Sequence, residues 1–196
     1  EKVYVKNAYK LREELINNVI IEENNNKWFF ISDEILWSIT SWKNEKGELT
    51  HKRVHGVVLL NKKLEHVKID TTEAINIAVK QGFDCDIAYI GGFCFSGCGV
   101  KKLEFIVGET SYIGDCVLNN IDKLKTIIVI DKSDSHNFLY SILDEIYYNN
   151  GIDNFIVITN NFSYNIFKET DYYFNNVKNV LIEVLSDETG KIIEKV

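Results

Sequence analysis

Cysteine, histidine, serine and the carboxylates supply the chemistry this chain could offer. Cys94 and Cys98 have a C-x3-C spacing, which suits a metal-ligating or redox pair. A zinc site needs two further ligands, and no histidine lies near them in sequence. A reactive thiol needs a cationic neighbour to lower its pKa, and the flanking sequence offers none. Both read instead as small buried groups. A chain of 196 residues does not need a cystine framework for Cys85, Cys94, Cys98 and Cys116. His51 and His55 fall in a strand-like segment and converge on nothing. Asp134, Ser135 and His136 set the three residue types of a catalytic triad side by side. A triad must be assembled in space, and neighbours in one segment rarely turn towards each other. The expectation is a polar N-cap for a helix starting near Asn137. The carboxylate pairs Glu13-Glu14 and Glu22-Glu23 read as solvated faces. No phosphate-loop or dinucleotide fingerprint occurs, and Gly91, Gly92 and Gly97 lack the spacing of one. No catalytic, cofactor-binding or metal-binding set emerges, so the expectation is a protein that is not an enzyme and takes no cofactor.

Composition bounds the elements that must position any site. With 45% hydrophobic residues, the chain can fill one sizeable core, or a small core with an appended cap. A net charge of -7 without a cluster of Lys and Arg argues against nucleic acid and anionic membranes. A basic partner would be steered towards such a chain. No apolar run approaches the roughly 20 residues that span a bilayer, so no membrane span is expected. No basic-then-apolar leader precedes the first element. The cytoplasm is favoured, with the cell surface or secretion open if a leader was removed before Glu1.

Residues 1–60 read as an α+β cap without a repeat. Val3–Val5 alternates as a strand, and Asn7 can cap a helix running to about Asn17. Val19–Ile21 and Trp28–Ile31 are strands, and Trp37–Trp42 with Lys52–Leu60 form a hairpin around Asn44-Glu45-Lys46-Gly47. From residue 61 to 196 the pattern apolar-x-x-apolar-x-apolar recurs, and a terminal hairpin closes the chain. Its copies are Leu64/Val67/Ile69, Val100/Leu103/Phe105, Leu124/Ile127/Val129, Ile152/Phe155/Val157 and Val177/Val180/Ile182. They are spaced 36, 24, 28 and 25 residues apart, and the last three steps fall within the repeat lengths of leucine-rich proteins. The connectors differ. Asp70-Thr71-Thr72-Glu73 is a helix start, and Phe138, Leu139, Ile142, Leu143 and Ile146 mark one helix face. Phe162, Ile166, Phe167, Tyr173 and Phe174 mark a weaker one. The connectors around Phe95 and Leu118 are too short and Gly-rich for a full helix.

Two connectors carry a motif. Tyr89-Ile90-Gly91-Gly92-Phe93-Cys94-Phe95-Ser96-Gly97-Cys98 is followed by the weaker copy Tyr112-Ile113-Gly114 through Leu118-Asn119-Asn120-Ile121. Ile90, Gly91, Phe95, Ser96, Gly97 and Cys98, with Cys94 at a small-residue position, resemble the leucine-rich repeats of the bacterial surface antigen (BspA-like) type. The match spans about residues 86–130. The resemblance implies a short, irregular α/β solenoid of parallel strands, and a protein that acts in adhesion, recognition or neutralising a toxin-like partner.

In such a solenoid the x positions of the strands line the concave face. The expected partner-binding residues are Lys68, Lys102, Glu104, Thr126, Ile128, Asn154, Ile156, Asn179 and Leu181. The expected function is protein–protein interaction through that face, with a homo-oligomer open. Ile128, Ile156 and Leu181 would form an apolar stripe if exposed. The runs Thr126–Ile130 and Phe155–Ile158 also suit strands covered on both faces. That alternative makes residues 124–185 a strand-helix-strand-helix-strand unit. The protein would then be an α/β ligand-binding protein or enzyme using the strand ends near Asp131, Ser133 and Asp134.

Overall fold

The protein is seen as a computed structural model that describes residues 21–23, 26–31, 35–149, 151–159, 174, 177–185 and 192–195. The expected strand at 3–5, the helix at 7–17 and the weak helical face from Phe162 to Tyr173 lie outside them. The architecture is α/β, with mostly parallel sheets and few helices.

Antiparallel hairpins open the described chain. Strands β1 (Ile21–Glu23), β2 (Asn26–Ile31), β3 (Ile35–Lys43) and β4 (Leu49–Leu59) pair in sequence order. The β3–β4 turn forms where its residues dictate. The Asn44 side chain accepts the N–H groups of Lys46 and Glu48, each at 3.0 Å, and Gly47 takes φ +79°. Next come β5 (His66–Asp70), α1 (Thr71–Lys80), β6 (Ile87–Ile90), β7 (Lys102–Val107), β8 (Ser111–Ile113) and β9 (Thr126–Asp131). The chain continues through α2 (Asn137–Tyr147), β10 (Asn154–Thr159), β11 (Asn179–Leu185) and β12 (Ile192–Lys195).

From β4 to β9, strands are dealt alternately to two sheets, and β10 to β12 all join the second. The first has the order β1-β2-β3-β4-β6-β8, and the second β12-β11-β10-β9-β7-β5. Strand pairs from β5 through β11 in the second sheet are parallel, and β12 closes its edge antiparallel. The register reproduces the repeat read from sequence. Val67, Leu103, Ile127, Phe155 and Val180 stand side by side, and so do Ile69, Phe105, Val129, Val157 and Ile182. Strands β7, β9 and β10 each start on a shared acceptor. Lys101 and Lys102 donate to the Glu65 carbonyl, Lys125 and Thr126 to that of Lys101, and Asp153 and Asn154 to that of Lys125.

The turns stack as the strands do. Residues 92–97 and 115–120 adopt matching conformations 23 residues apart: φ is 61° at Phe93 and 64° at Cys116, then 72° at Gly97 and 60° at Asn120. Asparagine is among the few side chains that tolerate this left-handed region, so Asn120 can replace Gly97. Gly97 donates to the Asn120 carbonyl at 2.9 Å and Phe93 to that of Cys116 at 3.3 Å. Phe95 and Leu118 occupy equivalent places and are fully buried. No helix forms in either turn, as their length required.

Helix α1 is capped by Asp70, whose Oδ1 accepts the N–H groups of Thr72 at 3.0 Å and Glu73 at 3.1 Å. It packs against β4, β6 and β7, and α2 packs beside β8. The expected face of α2 is buried in full: Phe138, Leu139, Ile142, Leu143 and Ile146. Phe138 lies 5.2 Å from Phe105, which lies 6.3 Å from Phe95. Both described helices therefore cover the same, inward face of the second sheet. One connected core runs from Phe29 to Ile182. The first sheet crosses position 60 without a break, since β4 pairs with β6.

Candidate functional site

The outward face of the second sheet gathers all nine residues expected to meet a partner. One row runs His66, Lys102, Thr126, Asn154, Asn179, and the next runs Lys68, Glu104, Ile128, Ile156, Leu181. A strand's side chains alternate between faces, so each row lies opposite the buried Val67 and Ile69 rows. The polar row is cross-linked. Asn179 Nδ2 donates to Asn154 Oδ1 at 2.9 Å, and Asn154 Nδ2 donates to Thr126 Oγ1 at 3.2 Å. His66 Nε2 lies 3.4 Å from Glu104 Oε2.

Whether β9 and β10 are covered on both faces, open from the sequence, is addressed by their burial. Burial alternates along each strand: Ile127, Val129, Phe155 and Val157 are fully buried, whereas Ile128, Ile130, Ile156 and Ile158 are half-buried. Each outward isoleucine is partly covered by its cross-strand neighbours. Sequence reasoning missed a third outward row, Asp70, Ile106, Ile130, Ile158, Glu183. Continuing the period of two past the last apolar position of the motif would have found it.

A second cluster sits at the end of β9, and it corrects the capping expectation. The triad residue types do meet, but through Asp131, Ser133 and His136 rather than Asp134 and Ser135. Asp131 Oδ1 accepts the Ser133 N–H at 2.9 Å and its hydroxyl at 2.6 Å, and Oδ2 lies 2.6 Å from His136 Nδ1. Ser133 Oγ accepts the His136 N–H at 3.1 Å. All three residues are buried. His136 is the N-cap residue of α2, with φ 55° and no side-chain capping bond. Its imidazole turns back to Asp131 because the left-handed backbone points it there. The Ser133 hydroxyl donates to the Asp131 carboxylate, whereas in a catalytic triad it would donate to the imidazole. The cluster locks the β9–α2 connection. Glu109 supports the same loop from outside, accepting the N–H groups of Asp134 at 2.9 Å and Ser135 at 3.2 Å. Hydrogen bonding from Ser135 and Asp134 holds its carboxyl below the usual glutamate range.

Three of the four cysteines occupy the core. Cys85, Cys94 and Cys98 are buried and Cys116 is half-buried. Burial pushes the Cys94 thiol up to about 12 and the Cys85 thiol up to about 11. Among the described residues, no group of three His, Cys, Asp or Glu side chains could hold a metal ion. Among them, too, no helix is long and apolar enough to cross a membrane. His55 on β4 packs edge-on to Tyr89 at 5.2 Å, and the Arg53 guanidinium lies 5.1 Å from the same ring. Compared with family models, with curated proteins and with solved structures, the chain matches none.

Proposed function

We propose that the protein is a non-catalytic interaction module that binds a protein partner through the outward face of its second sheet. The observation that carries this reading is the composition of that face. Six aliphatic side chains, Ile106, Ile128, Ile130, Ile156, Ile158 and Leu181, are half-buried on neighbouring strands, with Lys68, Lys102 and Glu104 beside them. An apolar centre with a charged margin has the anatomy of a recognition surface. Both described helices lie behind the sheet, so neither covers this face. A short leucine-rich-repeat-like solenoid, in which parallel strands line a binding surface, agrees with the in-register ladder. Adhesion, recognition or neutralisation of a toxin-like partner are the roles that the resemblance to surface-antigen repeats adds.

The alternative, a ligand-binding protein or enzyme working at the strand ends, would draw on Asp131, Ser133 and His136. Their burial and mutual hydrogen bonding favour a structural role. The test is site-specific crosslinking. A photoreactive residue at position 128 or 156 should yield one discrete protein adduct in cells of the source, and the same residue at Lys46, on the distant β3–β4 turn, should not. Ile156→Lys should abolish the adduct formed from position 128. Equal labelling from all three positions would sink the proposal.

A further inference from the structure

Away from that sheet face, four of the five exposed aromatic side chains among the described residues gather in the opposite layer, the fifth being Phe93 in the turn after β6. Of the large apolar residues that are exposed, Tyr112 lies on β8, and Tyr140, Tyr147 and Tyr148 lie on or next to α2. They are 38%, 43%, 42% and 82% exposed. Positions 140, 144, 147 and 148 share one helical face, opposite the buried stripe from Phe138 to Ile146. Asp144, exposed, stands among the tyrosines. Tyr112 points away from the core on the strand beside the helix. The rings of Tyr147 and Tyr148 meet edge to face at 5.1 Å, which holds the two against each other.

Three features of this patch attract a cation, and they are independent. Tyrosine faces carry negative quadrupole potential. The Asp144 carboxylate is accessible, while its neighbour Glu145 is engaged by the N–H groups of Cys116 at 3.0 Å and Leu118 at 3.3 Å. The last turn of α2 contains no basic residue, so the negative end of the helix dipole at Tyr147 and Tyr148 is not offset from within the helix. The nearby Lys125 ammonium is bound to the Gly151 carbonyl at 3.0 Å. The chain as a whole carries a net charge of -7.

The geometry points to a second docking surface, built from Tyr112, Tyr140, Asp144, Tyr147 and Tyr148, for an arginine-bearing segment of another protein. A guanidinium stacks on tyrosine with one face while its edge donates to a carboxylate. Lysine can do only one of these well at a time. The surface does not depend on the isoleucine face, and either can stand without the other.

The test is fluorescence anisotropy with a labelled hexa-arginine peptide and the full chain. Tyr148→Ala and Asp144→Asn should each weaken binding about fivefold to tenfold. Hexa-lysine should bind several-fold more weakly than hexa-arginine. Ile156→Lys makes the same change of one charge as Asp144→Asn but on the far face, and it should leave binding within about twofold. Circular dichroism checks that each variant is folded. If Ile156→Lys and Asp144→Asn weaken binding alike, the attraction is diffuse and the proposal is overturned. It also fails if Tyr148→Ala has no effect, or if the peptide does not bind. None of these outcomes touches the crosslinking test of the isoleucine face.

Discussion

At the scale of single residues, burial decides what the polar groups can do. His136 and Asp131 lie within one tight loop, and each has given up water for the other. His136→Ala should cost about 3–5 kcal/mol in denaturant melts, the usual range for stripping one partner from a buried pair. A loss under about 1 kcal/mol would mean that the pair contributes little to the β9–α2 lock. Glu109 makes a pH-dependent contribution. Its folded pKa is lowered, so the stabilisation it gives the loop is present above the ordinary glutamate range. It is lost as pH falls through the lower folded value. The protection factors of the Asp134 and Ser135 amides, taken against intrinsic exchange at each pH, should therefore fall on acidification, and Glu109→Gln should remove that dependence. The thiols follow the same logic. With Cys94 pushed up to about 12 and Cys85 up to about 11, neither should be alkylated in the native protein at pH 8. Unfolding should expose both to the reagent, as read by mass spectrometry. The Asp-Ser-His meeting was only half legible. The residue types were visible, but which serine and aspartate turned inward depended on a left-handed residue at position 136, and a histidine there gives no such signal in sequence.

At the scale of elements, repetition made the chain readable. The apolar positions of five strands fall side by side as their spacing implied, because a parallel ladder accepts only one register once one face is buried. The turns are held more tightly than the sequence suggested. A Cβ at Gly114 would stand 2.7 Å from the Gly92 nitrogen and would also meet the Tyr89 hydroxyl. Gly114→Ala should therefore destabilise by about 1–3 kcal/mol, the cost of overpacking. Gly47→Ala tests a different cost. Its site is open, but its φ of +79° strains any side chain. That change should cost about 1 kcal/mol without touching the core. Phe95→Ala should cost about 3–5 kcal/mol, since the ring is fully buried against Phe105. A near-neutral result in urea titration would mean the turn does not depend on that plug.

At the scale of the whole molecule, one question is whether residues 1–60 and 61–196 behave as separate units. The first sheet and the core both cross position 60. A continuous core melts as one. Calorimetry should give a single transition with equal calorimetric and van't Hoff enthalpies. Two resolved transitions would support the division into a cap and a repeat unit. The two surfaces proposed for binding lie on opposite layers of this one body, so a variant on one should leave the other's binding intact.

The sequence alone determined which residues go inside. Hydrophobic period, helix starts and turn residues act locally, and a chain can announce them before it folds. It also placed the nine outward residues in two rows, because alternation along a strand is a property of the backbone. What only the tertiary structure decided was how neighbouring strands share their surroundings. Whether Ile128 and Ile156 are covered depends on which side of the sheet the helices take, and the identical run of isoleucines serves either arrangement. The aromatic face of α2 and the buried Asp131–His136 pair are likewise products of packing. They arise where separate segments come to lie together, and no single stretch of sequence contains that information.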